Sequence, residues 1–320
     1  MTSLFLGDFG HGLIAAEAAL AEAIRSLGAV DPIVVSATPA YTERCVPGIT
    51  CIAPDDPLPR AVSQVVLAGP IFRRDRTLAL VEAFSAAKAA GATPRLHNLS
   101  LPPGLEPAET AGIAVEFADA TGSLRDHTSL LVLMRRRLPW FPDFACFSER
   151  TLGHDDSLSA LLPEGPAPLG LMFDGTPLML DCLEDNPAAF AAVMGSPGSG
   201  PLLPIPDTAP GLTGIVMGDA VLASRRAMRA ARPGEAALLP ALLDTRWWLE
   251  NATPAGLAGL VRRCSALVTT TDFGVVLAAA AGIPCHIIGY SMDDPATRAG
   301  GTLAGALAPG SSFIVLPPRK

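Results

Sequence analysis

The chain has 320 residues, of which 49% are hydrophobic and 17% are charged, so it can bury a large core and is not a disordered segment. This length exceeds what one hydrophobic core usually organises, so two domains are expected. The net charge of −8 at pH 7 argues against a nucleic-acid partner, because binding to phosphates needs clustered Lys and Arg.

Three features bear on where the chain resides. Asp8 interrupts the first apolar run and no basic segment precedes that run, so no signal peptide is predicted. The six cysteines contain no CxxC pair, which predicts free thiols and a reducing, cytoplasmic location. The longest uncharged apolar stretch, residues 274–290, contains Gly282 and Pro284. It therefore predicts a short helix, a turn and a strand, and not a helix that spans a membrane.

In the first half of the chain, short apolar runs alternate with helix-period segments, which is typical of βα units around a parallel sheet. Strands are predicted at 3–6, 33–36, 49–53, 64–68, 95–99 and 123–124. Helices are predicted at 13–27, 76–90, 109–119 and 127–137. A stretch rich in Pro and Gly at 163–168 is interpreted as a linker, which predicts an N-terminal domain of residues 1–163 and a C-terminal domain of residues 164–320.

The same alternation resumes after the linker. Strands are predicted at 169–173, 213–217, 266–269, 285–288 and 313–316. Helices are predicted at 187–194, 220–231, 254–263, 273–281 and 295–307. The expected fold class is α/β, with two Rossmann-like, doubly wound domains that face a cleft and bind ligands beyond the carboxyl ends of their strands.

The first candidate site is the turn between the first strand and the first helix, Gly7-Asp8-Phe9-Gly10-His11-Gly12. Its glycines and the following helix N-terminus could direct backbone N–H groups at an anion. The spacing is not GxGxxG, so no dinucleotide cofactor is predicted. The alternative is a flexible turn in which Asp8 or His11 is only a polar cap. Gly69, at the end of a later strand, is a second place where a ligand could approach the backbone.

A second candidate lies where the strand at 123–124 enters a helix. Arg125 at the carboxyl end of a strand suits a carboxylate or phosphate, because its planar guanidinium binds two oxygens at once. Asp126 is placed as the helix N-cap. The stretch His154-Asp155-Asp156 has the ligand types for a hard cation, but its spacing matches no metal motif, so neither a metal site nor any cofactor is predicted.

A third candidate is the turn after the strand at 266–269, which contains three threonines followed by Asp272. Asp272 is interpreted as the N-cap of the following alanine-rich helix. Thr271, Phe273 and Gly274 belong to the same turn and are candidate ligand contacts.

Taken together, these motifs resemble those of the polysaccharide pyruvyl transferase family. Gly7-Asp8-Phe9-Gly10 resembles the family's N-terminal Gly-Asp/Asn-x-Gly turn, and residues 125–129 match its Arg-Asp-x-x-Ser motif. Residues 142–147 are similar to its Pro-Asp-x-Ala-Phe strand, and residues 267–290 keep its C-terminal frame through Gly282-Ile283-Pro284.

The resemblance implies a GT-B-like transferase that moves a pyruvyl group from phosphoenolpyruvate to a sugar of a surface polysaccharide. It further implies a glycan acceptor and peripheral membrane association with a lipid-linked acceptor. The family's Arg-Leu-His motif falls on Thr271, Asp272 and Phe273, so a carboxylate would manage protons in place of the histidine. The catalytic residues expected on this basis are Arg125, Asp8 and Asp272, and the substrate-binding residues are Gly7, Gly10, His11, Gly69, Asp126, Thr271, Phe273 and Gly274.

Two other functions stay open at this point. Asp272-Phe273-Gly274 resembles the Asp-x-Gly turn of heptosyltransferase-like GT-B glycosyltransferases, in which case the donor is a nucleotide sugar and Asp272 holds a ribose or sugar hydroxyl. The missing Arg-Leu-His motif is also compatible with a catalytically silent GT-B-like protein that binds a glycan or a partner enzyme. The sequence predicts no oligomeric state.

Overall fold

The computed structural model describes residues 2–59, 61–71, 73–102, 104–135, 143–144, 153–173, 185–186, 188, 192, 200–206, 250–289 and 294–316. The chain divides into two compact units, Met1–Phe147 and Ser148–Lys320. This division falls earlier in the chain than the stretch at 163–168. Within the second unit, Asp155 N donates to Ala255 O at 3.1 Å, and Asp156 pairs with Arg263 at 2.6 Å. These bonds attach the segment that begins at residue 153 to the second unit.

The first unit is built on a parallel sheet with seven described strands in the order β3-β2-β1-β4-β5-β6-β7. The first six follow the order of a Rossmann fold, and β7 extends the sheet by one short strand. The strands are β1 (Thr2–Leu6), β2 (Asp31–Val35), β3 (Thr50–Ile52), β4 (Gln64–Pro70), β5 (Thr93–Ser100), β6 (Thr121–Leu124) and β7 (Asp143–Phe144). The helices are α1 (Ile14–Leu27), α2 (Pro39–Cys45), α3 (Arg74–Ala89), α4 (Pro107–Glu116) and α5 (His127–Arg135).

Helices cover both faces of this sheet. Leu4 and Leu67 on one face belong to the same buried cluster as Phe84 of α3. Successive side chains of a strand point to opposite faces. Accordingly His97, next to the core residue Leu96, meets α1 on the other face, where its Nε2 lies 2.5 Å from Glu22 Oε2. The unit is therefore doubly wound.

The connection from β3 to β4 contributes no described helix to the faces of this sheet. Right-handed connections place α1 and α2 on one face of the sheet and α3 and α4 on the other. The described residues of the 53–63 connection form no helix. On the face of the sheet that α3 covers, β1 and β2 are therefore overlaid by irregular chain and not by a second helix.

The carboxyl end of β5 breaks the regular pairing of the sheet. The register between β5 and β6 shifts between Leu96 and Leu99. Asn98 within this break has φ 51° and is almost completely buried. Its backbone N donates to Ser123 Oγ at 2.9 Å, so a side chain of β6 stabilises the break.

The second unit contains a parallel sheet whose described strands follow the order β12-β11-β10-β8-β9. The strands are β8 (Leu169–Met172), β9 (Leu202–Pro204), β10 (Ala266–Thr269), β11 (Cys285–Gly289) and β12 (Ser312–Val315). Over the described residues, the α-helices of this unit are α6 (Pro254–Arg262), α7 (Asp272–Ala281) and α8 (Pro295–Leu303). The predicted strand 213–217 and helix 220–231 lie outside the described residues, as does most of the predicted helix 187–194.

These sheets confirm the α/β class with two Rossmann-like units. The sequence patterns did not predict α2 or β9. The buried residues of α2 include Tyr41 and Thr42, so its inward face shows no aliphatic period. β9 lies in the proline-rich stretch 201–206, and proline within an apolar run argues against a strand unless that strand lies at an edge.

Candidate functional site

Among the described strands, the order in each sheet reverses at one point. In the first unit this switch point lies between β1 and β4, and in the second between β8 and β10. Ligands of open parallel sheets bind at such points, beyond the carboxyl ends of the strands. The Gly7–Gly12 turn follows β1, Gly69 lies at the end of β4, and the Thr270–Thr271 turn follows β10. The fold therefore places three of the sequence-predicted turns at switch points.

The Gly7–Gly12 turn is tightly packed where it leaves β1. A Cβ at Gly7 would lie 2.6 Å from Ala68 O of β4, so only glycine allows this approach of the two chains. Gly10 has φ +78°, and a Cβ there would lie 2.3 Å from Ser36 Oγ. Gly69 has φ +80° and faces Ala19 of α1 in the same way. These glycines fix the path of the turn because a side chain has no room at them.

Asp8, His11 and Arg76 form a polar cluster at this switch point. Asp8 is 2% exposed, and its Oδ1 accepts a hydrogen bond of 3.3 Å from Arg76 Nε. His11 Nε2 lies 3.8 Å from the same oxygen and contacts the Arg76 guanidinium. The structure therefore brings Asp8 and His11 together with a cation from the first turn of α3.

The His11 side chain is 27% exposed, so it can meet a ligand. Burial, followed by the positive charge of Arg76, lowers the pKa of His11 from its usual 6.5, although Asp8 opposes this shift. A guanidinium only donates hydrogen bonds, so Nε2 acts as the acceptor and the ring proton lies on Nδ1. The cluster thus combines a carboxylate, a neutral imidazole and a guanidinium.

Glu17 of α1 holds the turn from behind. Its Oε1 accepts 2.7 Å from Gly10 N and 3.3 Å from Thr42 Oγ1, and the residue is fully buried. Burial raises the pKa of Glu17 to about 7, against the lowering effects of those two hydrogen bonds and of Arg44. The backbone that carries Asp8 and His11 is therefore tied to a buried carboxyl group.

Arg125 and Asp126 lie at the carboxyl end of β6. Asp126 caps α5, because its Oδ1 accepts 2.8 Å from Ser129 N and its Oδ2 accepts 2.9 Å from Ser129 Oγ. Ser100 Oγ donates to the same Oδ2 at 2.7 Å, which ties the cap to β5. Arg125 is 6% exposed. Three strand spacings separate β6 from β1, or about 15 Å, so Arg125 and Asp8 do not form one compact cluster.

In the second unit, the N-cap of α7 is Thr271 and not Asp272, so the sequence-based cap was wrong. Thr271 Oγ1 accepts 3.0 Å from Gly274 N, while Asp272 is the first helical residue and only partly buried. Thr269 Oγ1 in turn accepts 3.0 Å from Thr271 N. A hydroxyl caps as well as a carboxylate does, and an aspartate in the first turn still favours the helix dipole.

The positions that align with the Arg-Leu-His motif do not supply an exposed cation or imidazole. Phe273 is completely buried and packs in the core of the second unit. A Cβ on Gly274 would lie 2.2 Å from Thr269 Oγ1, so the helix start packs directly on the strand end. Thr271 and Gly274 thus have a packing role whether or not a ligand also contacts the turn.

Two residues of the first site escaped the sequence analysis. Arg76 fell inside a predicted helix, and nothing local links it to a turn so distant in the chain. Glu17 did carry a signal, because it lies four residues after Leu13 and three before Leu20, on the apolar face of α1. A carboxylate at such a position indicates a buried polar contact.

The described residues hold no cluster of three or more His, Cys, Asp or Glu that could bind a metal ion. Asp155 Oδ1 accepts hydrogen bonds from Ser157 instead, and Asp156 pairs with Arg263. Across the described segments, no helix combines the length and the apolar character that a membrane span requires.

The chain matches no family model and no curated protein. Among solved structures, it is similar to the ADP-heptose LPS heptosyltransferase II of E. coli, with 11% identity and a TM-score of 0.42 over 98% of this chain and 90% of that one. It is also similar to the UDP-GlcNAc 2-epimerase of Methanocaldococcus jannaschii in complex with UDP-GlcNAc and UDP, with 11% identity and a TM-score of 0.48 over 98% of this chain and 89% of that one. The α/β class with two Rossmann-like units rests on the sheets themselves.

Proposed function

We propose that the chain is a transferase that moves a glycosyl group from a nucleotide-sugar donor to a hydroxyl of an acceptor. The observation that carries this proposal is the cluster of Asp8, His11 and Arg76 at the switch point of the first sheet. A neutral imidazole beside a carboxylate suits removal of a proton from a hydroxyl, and a guanidinium suits a phosphate.

The cluster suggests an order of events. Arg76 contacts His11 Nε2 through one guanidinium nitrogen and Asp8 Oδ1 through another while no substrate phosphate is bound. A phosphate of the nucleotide sugar that binds Arg76 competes with His11 for the guanidinium N–H groups and so releases Nε2. The acceptor hydroxyl then loses its proton to Nε2 and bonds to the sugar carbon, while the bond from that carbon to the nucleotide phosphate breaks. Asp8 Oδ1, 3.8 Å from Nε2, stabilises the imidazolium that forms.

Other predicted residues keep their roles as parts of this proposal. The turn at Thr271 and Asp272, at the N-terminus of α7, is assigned to an anionic group of a substrate, because backbone N–H groups of a first helical turn attract anions. Arg125, at the carboxyl end of β6, is assigned to a carboxylate or phosphate of a substrate. Gly7, Gly10 and Gly69 shape the backbone around the cluster.

Pyruvyl transfer is less well supported than glycosyl transfer. The positions that would provide the arginine and histidine hold Thr271 and Phe273, and the Phe273 ring is buried. The carboxylate and guanidinium beside a half-buried, neutral imidazole also argue against a catalytically silent protein, which would not need such a cluster.

Ligand-dependent thermal stability and product release test the proposal. A nucleotide sugar should raise the unfolding temperature, and turnover should release the nucleoside diphosphate. Arg76→Gln should abolish both effects, and His11→Gln should abolish release while keeping donor binding. Arg74→Gln is the matched control, because the Arg74 side chain is 50% exposed and pairs with Glu109 at the start of the same helix.

Three results would contradict the assignment. Stabilisation by phosphoenolpyruvate alone would indicate pyruvyl transfer, and stabilisation by neither donor would indicate a binding protein. Full nucleotide release by His11→Gln would remove the imidazole from the mechanism.

A further inference from the structure

A cavity of about 280 Å³ lies beside Arg76 in the first unit. Gly7 and Arg76 contribute to its lining, together with Glu82 of α3. Most of the remaining lining is aliphatic and includes Leu6, Leu58 and Leu80. The cavity opens to solvent at Ala79 and Ala86, which are exposed, and it joins an apolar floor to the backbone turn and the guanidinium of the proposed transfer site.

The topology explains why space exists at this position. The cavity lies against the ends of β1 and β2, on the face that α3 covers. The 53–63 connection forms no helix over its described residues, so no helical side chains from this connection fill the layer. On α3, the lining positions 79, 83 and 86 are all alanine, so the helix leaves the space open as well.

We propose that this cavity binds the apolar body of the acceptor, an aromatic ring system or an alkyl group that carries the reactive hydroxyl. The inference rests on the proposed function of the neighbouring cluster and adds the class of acceptor to it. The volume is roughly twice that of a cavity of about 150 Å³ that holds benzene. An occupant of about two fused rings therefore fits.

The lining chemistry favours such an acceptor over a bare sugar. The hydroxyls of a sugar need hydrogen-bond partners when they are buried. The charged side chains of the lining are Arg76 and Glu82, and the aliphatic walls formed by Leu6, Leu58 and Leu80 offer no partner. An apolar body gains free energy from leaving water in the same place. Its hydroxyl can remain at the Gly7 end, next to the turn that carries Asp8 and His11.

Titration with 2-naphthol, followed by its fluorescence, tests this inference without any donor present. We expect saturable binding to the wild-type chain and a loss of affinity of about tenfold or more in Ala83→Phe, whose ring would occupy the cavity. Ala111→Phe is the matched control, because Ala111 of α4 is also partly buried but is not part of the lining. The control should bind 2-naphthol as the wild type does.

Absence of saturable binding to the wild type would overturn the inference, as would equal affinities of wild type and Ala83→Phe. If Ala83→Phe does not fold, Ala79→Phe at the exposed end of the lining replaces it. Displacement of 2-naphthol by decanol would identify an alkyl occupant, and resistance to displacement a ring system. The titration contains no nucleotide sugar, so its result does not depend on whether the proposed transfer reaction occurs.

Discussion

Replacement of Glu17 by glutamine should remove a pH-dependent loss of stability. Glutamine keeps the shape and an oxygen acceptor for Gly10 N, but it cannot ionise. The folded state raises the pKa of Glu17 from 4.5 to about 7, chiefly by burial. The folded state therefore holds the proton more tightly than the unfolded state, and wild-type stability falls as the pH rises from about 4.5 to about 7.

The size of the effect follows from the shift. A difference of about 2.5 pKa units corresponds to about 3 kcal/mol, since each unit is worth about 1.4 kcal/mol. Below about pH 4.5, the pKa of Glu17 in the unfolded chain, its ionisation should make little difference between the free energies of unfolding of the two proteins. Above about pH 7, Glu17→Gln should be more stable than the wild type by about 3 kcal/mol. The titratable and polar groups that interact with the carboxyl are Gly10 N, Thr42, Arg44, Tyr41, Cys45 and Cys51.

Urea unfolding followed by circular dichroism at a series of pH values measures this difference. Glu82→Gln is the control for the amide substitution itself, because the Glu82 side chain is exposed on α3. Parallel pH profiles for wild type and Glu17→Gln would refute the reasoning. They would show that Glu17 is no harder to ionise in the folded chain than in the unfolded one.

Two further substitutions test the turns at the switch points. Gly10→Ala should destabilise the first unit by more than the roughly 1–2 kcal/mol that a left-handed alanine costs, because its Cβ also meets Ser36 Oγ and Thr38 N. Gly48→Ala, at φ +86° with open space around it, measures the cost of the left-handed backbone alone. Equal losses of stability in urea unfolding would show that the steric contacts at Gly10 contribute nothing. Thr271→Ala should cost about 1 kcal/mol through loss of the α7 cap, close to the loss for Thr253→Ala, whose side chain caps α6 at 3.0 Å from Gly256 N. Hydrogen exchange at the first turn of each helix checks this, and unchanged exchange would show that the caps are dispensable.

The sequence was informative where local pattern decides the structure. β1, β4 and β10 are apolar runs with four to seven residues, and their faces are buried in the sheets as the pattern predicted. The capping residue of α7 was assigned one position too late, because Thr271 and Asp272 are both good caps and only the backbone geometry separates them. Strand β9 was hidden by the prolines that flank it.

The candidate site was predictable only in part. Glycines with no room for a side chain, such as Gly7 and Gly10, marked the turn that carries Asp8 and His11. The partner of Asp8 could not be found in the same way, because Arg76 is separated from it by three strands and two helices of the chain. Contacts of this kind depend on the strand order, and the order β3-β2-β1-β4 is a property of the whole sheet.

The break in β5 has a consequence for the length of the chain. Leu96 and Leu99 both belong to the core cluster, although an odd number of steps along a regular strand would send them to opposite faces. The extra residue at the break resets the alternation, so that His97 still meets Glu22 while Leu99 and Leu101 return to the core. Loss of Asn98 alone would restore a regular strand and keep Leu99 on the core face, two steps after Leu96, although it would remove the bond from the Asn98 backbone N to Ser123 Oγ. Homologous chains should therefore tolerate loss of one residue at this break more readily than loss of one within a regular strand such as β4, where every later side chain would change faces.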